Sequence, residues 1–347
     1  MPCPSNPITI SQAVTGDMPL DQAIYVSAQD KIYGVRGQWV YQFNSISGAL
    51  EATLRYAIDV TEMAWITSFG GNLYIGVQRV PYATFDNPVS LPTDNDIYKV
   101  ALPAMNTSVK LGLNNHLNVV GSDMAYRSWC NLTNDGTYIY GRMQEQQIFR
   151  VDPTNIAGIQ FDIGSPSLFA DIDVIVFTHT YNGSPTPIIC YTDPGGIDVW
   201  LKVFRTDNSH TSPDFTFPTT IDGLCYDSTH DVVYCTSGSH FLYKINVNEA
   251  FTVPPFLQNF SWNTYDTGRI NNNAFRCKFV SQLGHPLIGK VLIPAWNDDT
   301  VLEWNTTTNN PSDMIVHSGF TAPWDVVITP SRAFAVQNGP VGLKLIV

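Results

Sequence analysis

The sequence predicts an all-β fold, and three observations carry that reading. Short apolar runs alternate with turns rich in Gly, Pro, Asn and Asp. Those breaker residues are dense enough that no helix of useful length is expected. A strand signature of apolar, polar, apolar residues recurs seven times: Tyr41-Gln42-Phe43, Tyr98-Lys99-Val100, Phe149-Arg150-Val151, Leu201-Lys202-Val203, Tyr243-Lys244-Ile245, Leu302-Glu303-Trp304 and Leu343-Lys344-Leu345. The copies are spaced by roughly 40 to 60 residues, the range of propeller blades. The expected architecture is therefore a single-domain, seven-bladed β-propeller over residues 1–347, with blades at about 23–56, 62–113, 126–163, 170–217, 221–259, 273–317 and 323–347.

Each signature reads as the third strand of a meander, and period-two alternation puts its polar member on the face opposite its neighbours. A hairpin precedes each copy. Ala23 to Ser27 leads through Gln29-Asp30 into Ile32-Tyr33-Gly34. Trp65-Ile66-Thr67 turns at Gly70-Gly71-Asn72 into Leu73-Tyr74-Ile75. Trp129 to Leu132 turns at Asn134-Asp135-Gly136, where Asn/Asp-Gly supplies the positive φ of a tight hairpin. Val174 to Phe177 reaches Ile188 to Tyr191 through Asn182-Gly183. Leu224 to Tyr226 passes the polar turn 227–231 into Val232 to Cys235. Phe275 to Val280 passes Gly284-His285-Pro286 into Val291-Leu292-Ile293, and Val326-Val327-Ile328 turns at Pro330-Ser331 into Ala333 to Val336. A fourth strand follows most copies, as in Ala49 to Leu54, Ser108 to Leu113 and Ile315 to His317. The seventh ends at Val347 with no room for one. Residues 8–14, Ile-Thr-Ile-Ser-Gln-Ala-Val, form an unassigned strand and are expected to complete the last blade, closing the ring.

Composition narrows the function. Hydrophobic residues make up 44% and charged ones 14%, so the chain has ample apolar surface to bury. With 18 Lys+Arg against 30 Asp+Glu, the net charge of −12 argues against nucleic acid, which needs clustered cations. No secretory leader or membrane-spanning run is read, so a soluble location is expected, in a virion if the chain is viral and otherwise in the cytoplasm. The six Cys show no zinc-ligand spacing. Cys225 and Cys235 are expected to face each other across the 227–231 turn, either bonded or as buried thiols, the latter favoured.

The cadence Leu224-Cys225-Tyr226-Asp227, then His230-Asp231-Val232-Val233-Tyr234, then Leu242-Tyr243-Lys244-Ile245-Asn246 resembles NHL- or YVTN-type seven-bladed propellers. The resemblance covers the whole chain and implies a fold, with no catalytic residues attached. In such propellers the turns entering the innermost strands ring the channel mouth. Here those positions are Asp21, Glu62, Arg127, Asp171, Asp173, Asp222, Asn272, Asn273 and Asp325. Their oxygen donors resemble, by position type, the Ca²⁺ site of propeller lactonases, with Glu62, Asp222, Asn273 and Asp325 as the candidate ligands. No other cofactor is expected. Trp65, Trp129 and Trp324, with Tyr126 nearby, bring aromatics to the same mouth for sugar stacking, protein contact or packing between blades. Long loops carry Tyr82 and Phe85, and Phe256, Phe260, Trp262 and Tyr265, which suit a protein contact. No nucleophile motif is present. The seven His are scattered, with His179, His230 and His285 in or beside hairpin turns.

The favoured function is a non-catalytic binding or assembly module that contacts other proteins. The Asn/Thr/Ser-rich, Lys-poor, aromatic-rich composition resembles structural proteins of bacteriophage virions, such as tail or host-attachment components. A Ca²⁺-dependent, lactonase-like hydrolase and a sugar-binding lectin are the alternatives.

Overall fold

The computed structural model describes residues 19–56, 63–78, 97–111, 129–143, 148–161, 173–181, 183–192, 198–203, 214–252, 262–268, 276–339 and 342–347. They build an all-β fold of seven antiparallel sheets, taken in chain order. The first contains β1 (Gln22–Val26), β2 (Lys31–Arg36), β3 (Trp39–Asn44) and β4 (Leu50–Arg55). The second contains β5 (Met63–Phe69), β6 (Asn72–Gln78), β7 (Ile97–Ala101) and β8 (Ser108–Lys110), and the third β9 (Trp129–Asn134), β10 (Ile139–Met143), β11 (Ile148–Asp152) and β12 (Asn155–Phe161). The fourth holds β13 (Val174–Tyr181), β14 (Ser184–Thr192), β15 (Asp198–Val203) and β16 (Asp214–Thr216). The fifth holds β17 (Ile221–Asp227), β18 (Val232–Ser237), β19 (Phe241–Asn246) and β20 (Trp262–Asp266). The sixth holds β21 (Lys278–Phe279), β22 (Lys290–Ala295), β23 (Thr300–Asn305) and β24 (Ile315–Ser318), and the seventh β25 (Pro323–Ile328), β26 (Ala333–Gln337) and β27 (Leu343–Leu345). Each sheet is a simple meander, every strand pairing with its sequence neighbour.

All seven repeated triplets fall on the third strand of a sheet, β3, β7, β11, β15, β19, β23 and β27. Their polar members bond across the sheet. Gln42 on β3 donates to Glu51 on β4, Arg150 on β11 donates to Gln160 on β12, and Glu303 on β23 lies 3.1 Å from His317 on β24. Hairpin turns use left-handed residues where the sequence places Gly or Asp: Gly70, Gly71 and Gly136, and Asp30, Asp231 and Asp299 near +50°. The only α-helix among the described residues is α1 (Val247–Thr252), one short segment after β19. No helix there is long and apolar enough to cross a membrane.

The core lies between sheets. Val35, Leu54 and Tyr56 of the first sheet pack on Ile66, Ile75 and Tyr98 of the second. Trp65 and Tyr74 of the second meet Leu132 and Phe149 of the third. Equivalent layers join the third to the fourth, the fourth to the fifth, the fifth to the sixth and the sixth to the seventh. A further layer joins Val327, Phe334 and Val336 of the seventh to Leu20, Ile32 and Phe43 beside and within the first. The first strands are neighbours in the same order, from β1 through β5, β9, β13, β17 and β21 to β25, and β25 also lies against β1.

Three features differ from the sequence reading. The fifth sheet extends to Asp266, past the expected boundary at 259, because β20 recruits a stretch read as loop. Its burial alternates weakly, as an outermost strand's does. Cys225 and Cys235 do not face each other. Cys225 pairs with Tyr234 and Leu224 with Cys235, so the two thiols lie on opposite faces of the sheet, and both are free. A one-residue shift in register accounts for the difference. The expected strand at 8–14 lies outside the described residues, and the last sheet has three strands there.

Candidate functional site

Two first strands depart from regular ladder geometry at their starts. Between β17 and β18 the register slips between Ile221 and Gly223, and between β25 and β26 it slips between Pro323 and Asp325. The extra residues are Asp222 and Trp324. A β-bulge leaves its extra residue out of the ladder and re-aims the side chain.

The carboxylates at the starts of first strands bond mainly to backbone. Asp21, 2% exposed, accepts from Arg36 Nη1 at 2.6 Å and from the backbone N–H of Gly37 and of Ala64, each at 2.9 Å. Ala64 belongs to the second sheet, so one carboxylate ties two sheets together. Gln22 Oε1 repeats the device by accepting the N–H of Ile66 at 2.7 Å. Asp173 accepts the N–H of Leu224 at 2.8 Å, linking the fourth sheet to the fifth. Burial pushes the Asp21 carboxyl above the usual carboxylate range, and Arg36 with the two N–H donors pulls it partly back.

Asp325 is set differently. It is 1% exposed, and among the described residues its Oδ1 accepts from its neighbour Val326 N at 2.8 Å. Arg276 Nη1 stands 3.7 Å from Oδ2 and Lys278 Nζ 3.9 Å from Oδ1. These are ion pairs too long to be hydrogen bonds. Oδ2 has no hydrogen-bond partner among the described residues. Burial raises its pKa, Lys278 and Arg276 lower it in part, and the Asp173 charge raises it again. Arg276 is 7% exposed with φ at +36°, and its guanidinium carbon lies 3.6 Å from the centre of the Trp65 ring. Trp65 stands on β5 and Arg276 immediately before β21, strands that are not side by side, so the stack joins the second sheet to the sixth. A desolvated cation–π contact of this kind contributes about 2 kcal/mol.

The sequence-predicted residues are therefore only partly brought together. Glu62 and Asn273 lie outside the described residues, as do Arg127, Asp171, Asn272 and Tyr126. Of the other two candidate Ca²⁺ ligands, Asp222 presents Oδ2 against Gly238, where a Cβ would sit 2.9 Å away. Asp325 shares its surroundings with two cations. A Ca²⁺ ion takes six to eight oxygen ligands, and the described residues around Asp325 do not supply that number. Among the described residues no group of three or more His, Cys, Asp or Glu could hold a metal.

Trp65 is buried under Arg276. Trp129 lies on β9, with its side chain outside what is described. Trp324 is half-buried, donates Nε1 to Leu20 O at 2.9 Å, and has its ring 5.3 Å from that of Trp296. Tyr82, Phe85, Phe256 and Phe260 lie outside the described residues. Trp262 and Tyr265 are on β20, where Trp262 packs 5.0 Å from Phe217 and Tyr265 5.1 Å from Trp304. Both side chains are engaged between sheets.

Two of the His read as lying in or beside hairpin turns are buried, and His285 does lie in the turn between β21 and β22. His179 stands within β13, 7% exposed, with Nδ1 3.2 Å from Asp231 of the next sheet. His285 is buried and accepts the N–H of Leu287 on Nδ1. Sequence reasoning missed Arg276, Lys278 and Trp296. Their partners come from distant repeats, and the only local signal was two cations flanking Cys277 in an otherwise Lys-poor chain.

A scan of protein-family models matches no family, and a search of curated proteins finds no similar protein.

Proposed function

We propose that the chain is a seven-bladed β-propeller that serves as a non-catalytic scaffold for binding or assembling other proteins. The observation that carries the architectural half is the succession of seven apolar layers, one between each pair of consecutive sheets and one between the last and the first. In this reading residues 8–14 add the fourth strand to the last sheet beside β27. Residues 15–21 would then link that strand to β1, as residues 56–62 link β4 to β5. The functional half is supported by how the inner polar groups are used. Asp21, Gln22 and Asp173 hold neighbouring sheets, and Arg276 holds Trp65.

Service in a virion, as a tail or host-attachment component, is the specific assignment. It rests on the Asn/Thr/Ser-rich, Lys-poor composition. Co-expression with the proteins encoded beside it, followed by size-exclusion chromatography and electron microscopy, tests it. A defined complex is expected. A chain that stays monomeric and binds none of those products sinks the reading. Sugar binding is the second reading, favoured by the half-buried Trp296–Trp324 pair, and a glycan array without hits removes it.

A further inference from the structure

Among the described residues four cysteines are buried in two successive apolar layers. Cys190 and Cys235 belong to the layer between the fourth and fifth sheets, and Cys225 and Cys277 to the layer between the fifth and sixth. Cys277 immediately precedes β21, which lies against β17, the strand that carries Cys225. The Cys277 Sγ lies 4.0 Å from the carbonyl oxygen of Tyr234, and Tyr234 is the residue directly opposite Cys225 in the β17–β18 ladder. Both Cys225 and Cys277 are buried in the same apolar layer. Around them are Val291, Ile293, Leu302 and Trp304, all at most 2% exposed.

We propose that Cys225 and Cys277 form an oxidation site, at which a small neutral peroxide converts the two neighbouring thiols into a disulfide that joins the fifth sheet to the sixth. The chemistry balances with hydrogen peroxide as the oxidant. One thiol loses its proton and attacks a peroxide oxygen; an S–O bond forms, the O–O bond breaks, and hydroxide leaves to take up that proton as water. The second sulfur then attacks the sulfenic sulfur. The S–S bond forms, the S–O bond breaks, and the departing hydroxide leaves as a second water with the second thiol's proton. Two thiols are oxidised by two electrons and one peroxide is reduced to two waters. A disulfide requires the two Cα atoms to lie within about 7 Å, and the Cys277 sulfur already lies against the residue paired with Cys225.

Burial sets the pace. It pushes the Cys225 thiol well above its usual range, so little thiolate exists at neutral pH and the oxidation is slow. The bond would close a chain segment from 225 to 277, and cross-links over long segments restrict the unfolded chain most.

The test uses the full-length reduced chain, incubated with excess hydrogen peroxide, blocked with iodoacetamide after denaturation and mapped by mass spectrometry. The expected product is a peptide pair cross-linked through Cys225 and Cys277, two hydrogens lighter than the reduced pair. It should come with a rise in Tm of about 5 °C or more that dithiothreitol reverses. Cys277→Ala should lose both effects and Cys235→Ala should keep both. The proposal is overturned if Cys225 and Cys277 are recovered alkylated, if they carry sulfinic or sulfonic acid without a cross-link, or if either is linked to Cys190 or Cys235. Peptide mapping of the unsubstituted chain decides the matter even if a variant does not fold.

Discussion

Asp21 and Asp325 are the same residue type in nearly the same place, a buried carboxylate where a first strand begins, and they are built in opposite ways. Asp21 receives three donors, two of them backbone N–H groups on different sheets, all within hydrogen-bonding distance. Asp325 receives one backbone N–H from its own neighbour and stands off two cations by nearly 4 Å. Asp21 is thus a clamp whose loss would strand the groups that depend on it. Asp325 is a buried charge that its surroundings tolerate. The lesson is that burial of an acid in a central position does not mark it as a ligand or a catalyst. What its oxygens accept decides its role.

Substituting Asp21 by Ala should produce the largest effect. It orphans the Gly37 and Ala64 N–H groups and leaves Arg36 without its anion, at about 1–3 kcal/mol for each buried group left unsatisfied. Urea denaturation should show a loss of about 3 kcal/mol or more, and a loss below about 1 kcal/mol would remove the clamp. Asp173→Ala should cost less, about 1–2 kcal/mol, because it strands the Leu224 N–H alone among the neighbouring sheet's donors. Asp173→Asn, which keeps an acceptor oxygen, should recover most of that.

Asp325→Asn should have the smallest effect at neutral pH, within about 1 kcal/mol, since it removes the cost of burying a charge together with two loose ion pairs. Its signature is in the pH dependence. A carboxyl whose folded pKa is raised contributes stability that is present below its unfolded value, near 3.8, and is lost as pH rises through the raised folded value. The wild type should therefore lose stability relative to Asp325→Asn as pH climbs from about 3.8 upward. A gap that widens the other way would mean that Arg276 and Lys278 outweigh burial. Either result sharpens the contrast with Asp21.

The fold was legible in the sequence to the extent that it is local. Tyr243-Lys244-Ile245 and its six counterparts announce a third strand through alternation alone, and each lies on one. Outer strands were harder to read. Trp262 to Asp266 follows Pro254-Pro255 and alternates weakly, because one face of an outer strand meets solvent, so it read as loop. The centre was the least legible part. That Arg276 would stack on Trp65 depends on the arrangement of sheets far apart in the chain, and no spacing encodes it. Trp65 was expected near the start of its sheet's first strand and lies on β5, with its ring covered by the Arg276 guanidinium.

The layer that joins the last sheet to the first has a consequence for how the chain is made. Leu20, Ile32 and Phe43 are synthesised about 300 residues before the side chains that cover them, Val327, Phe334, Val336 and Leu343. Until then the first sheet has one bare apolar flank, and the contacts that cover it are among the most distant in sequence that the chain can make. Such contacts form slowly. A nascent chain stalled before residue 327 would leave that sticky flank open to a second copy or a chaperone. Misassembly should therefore concentrate in the interval between emergence of the first sheet and release of the last.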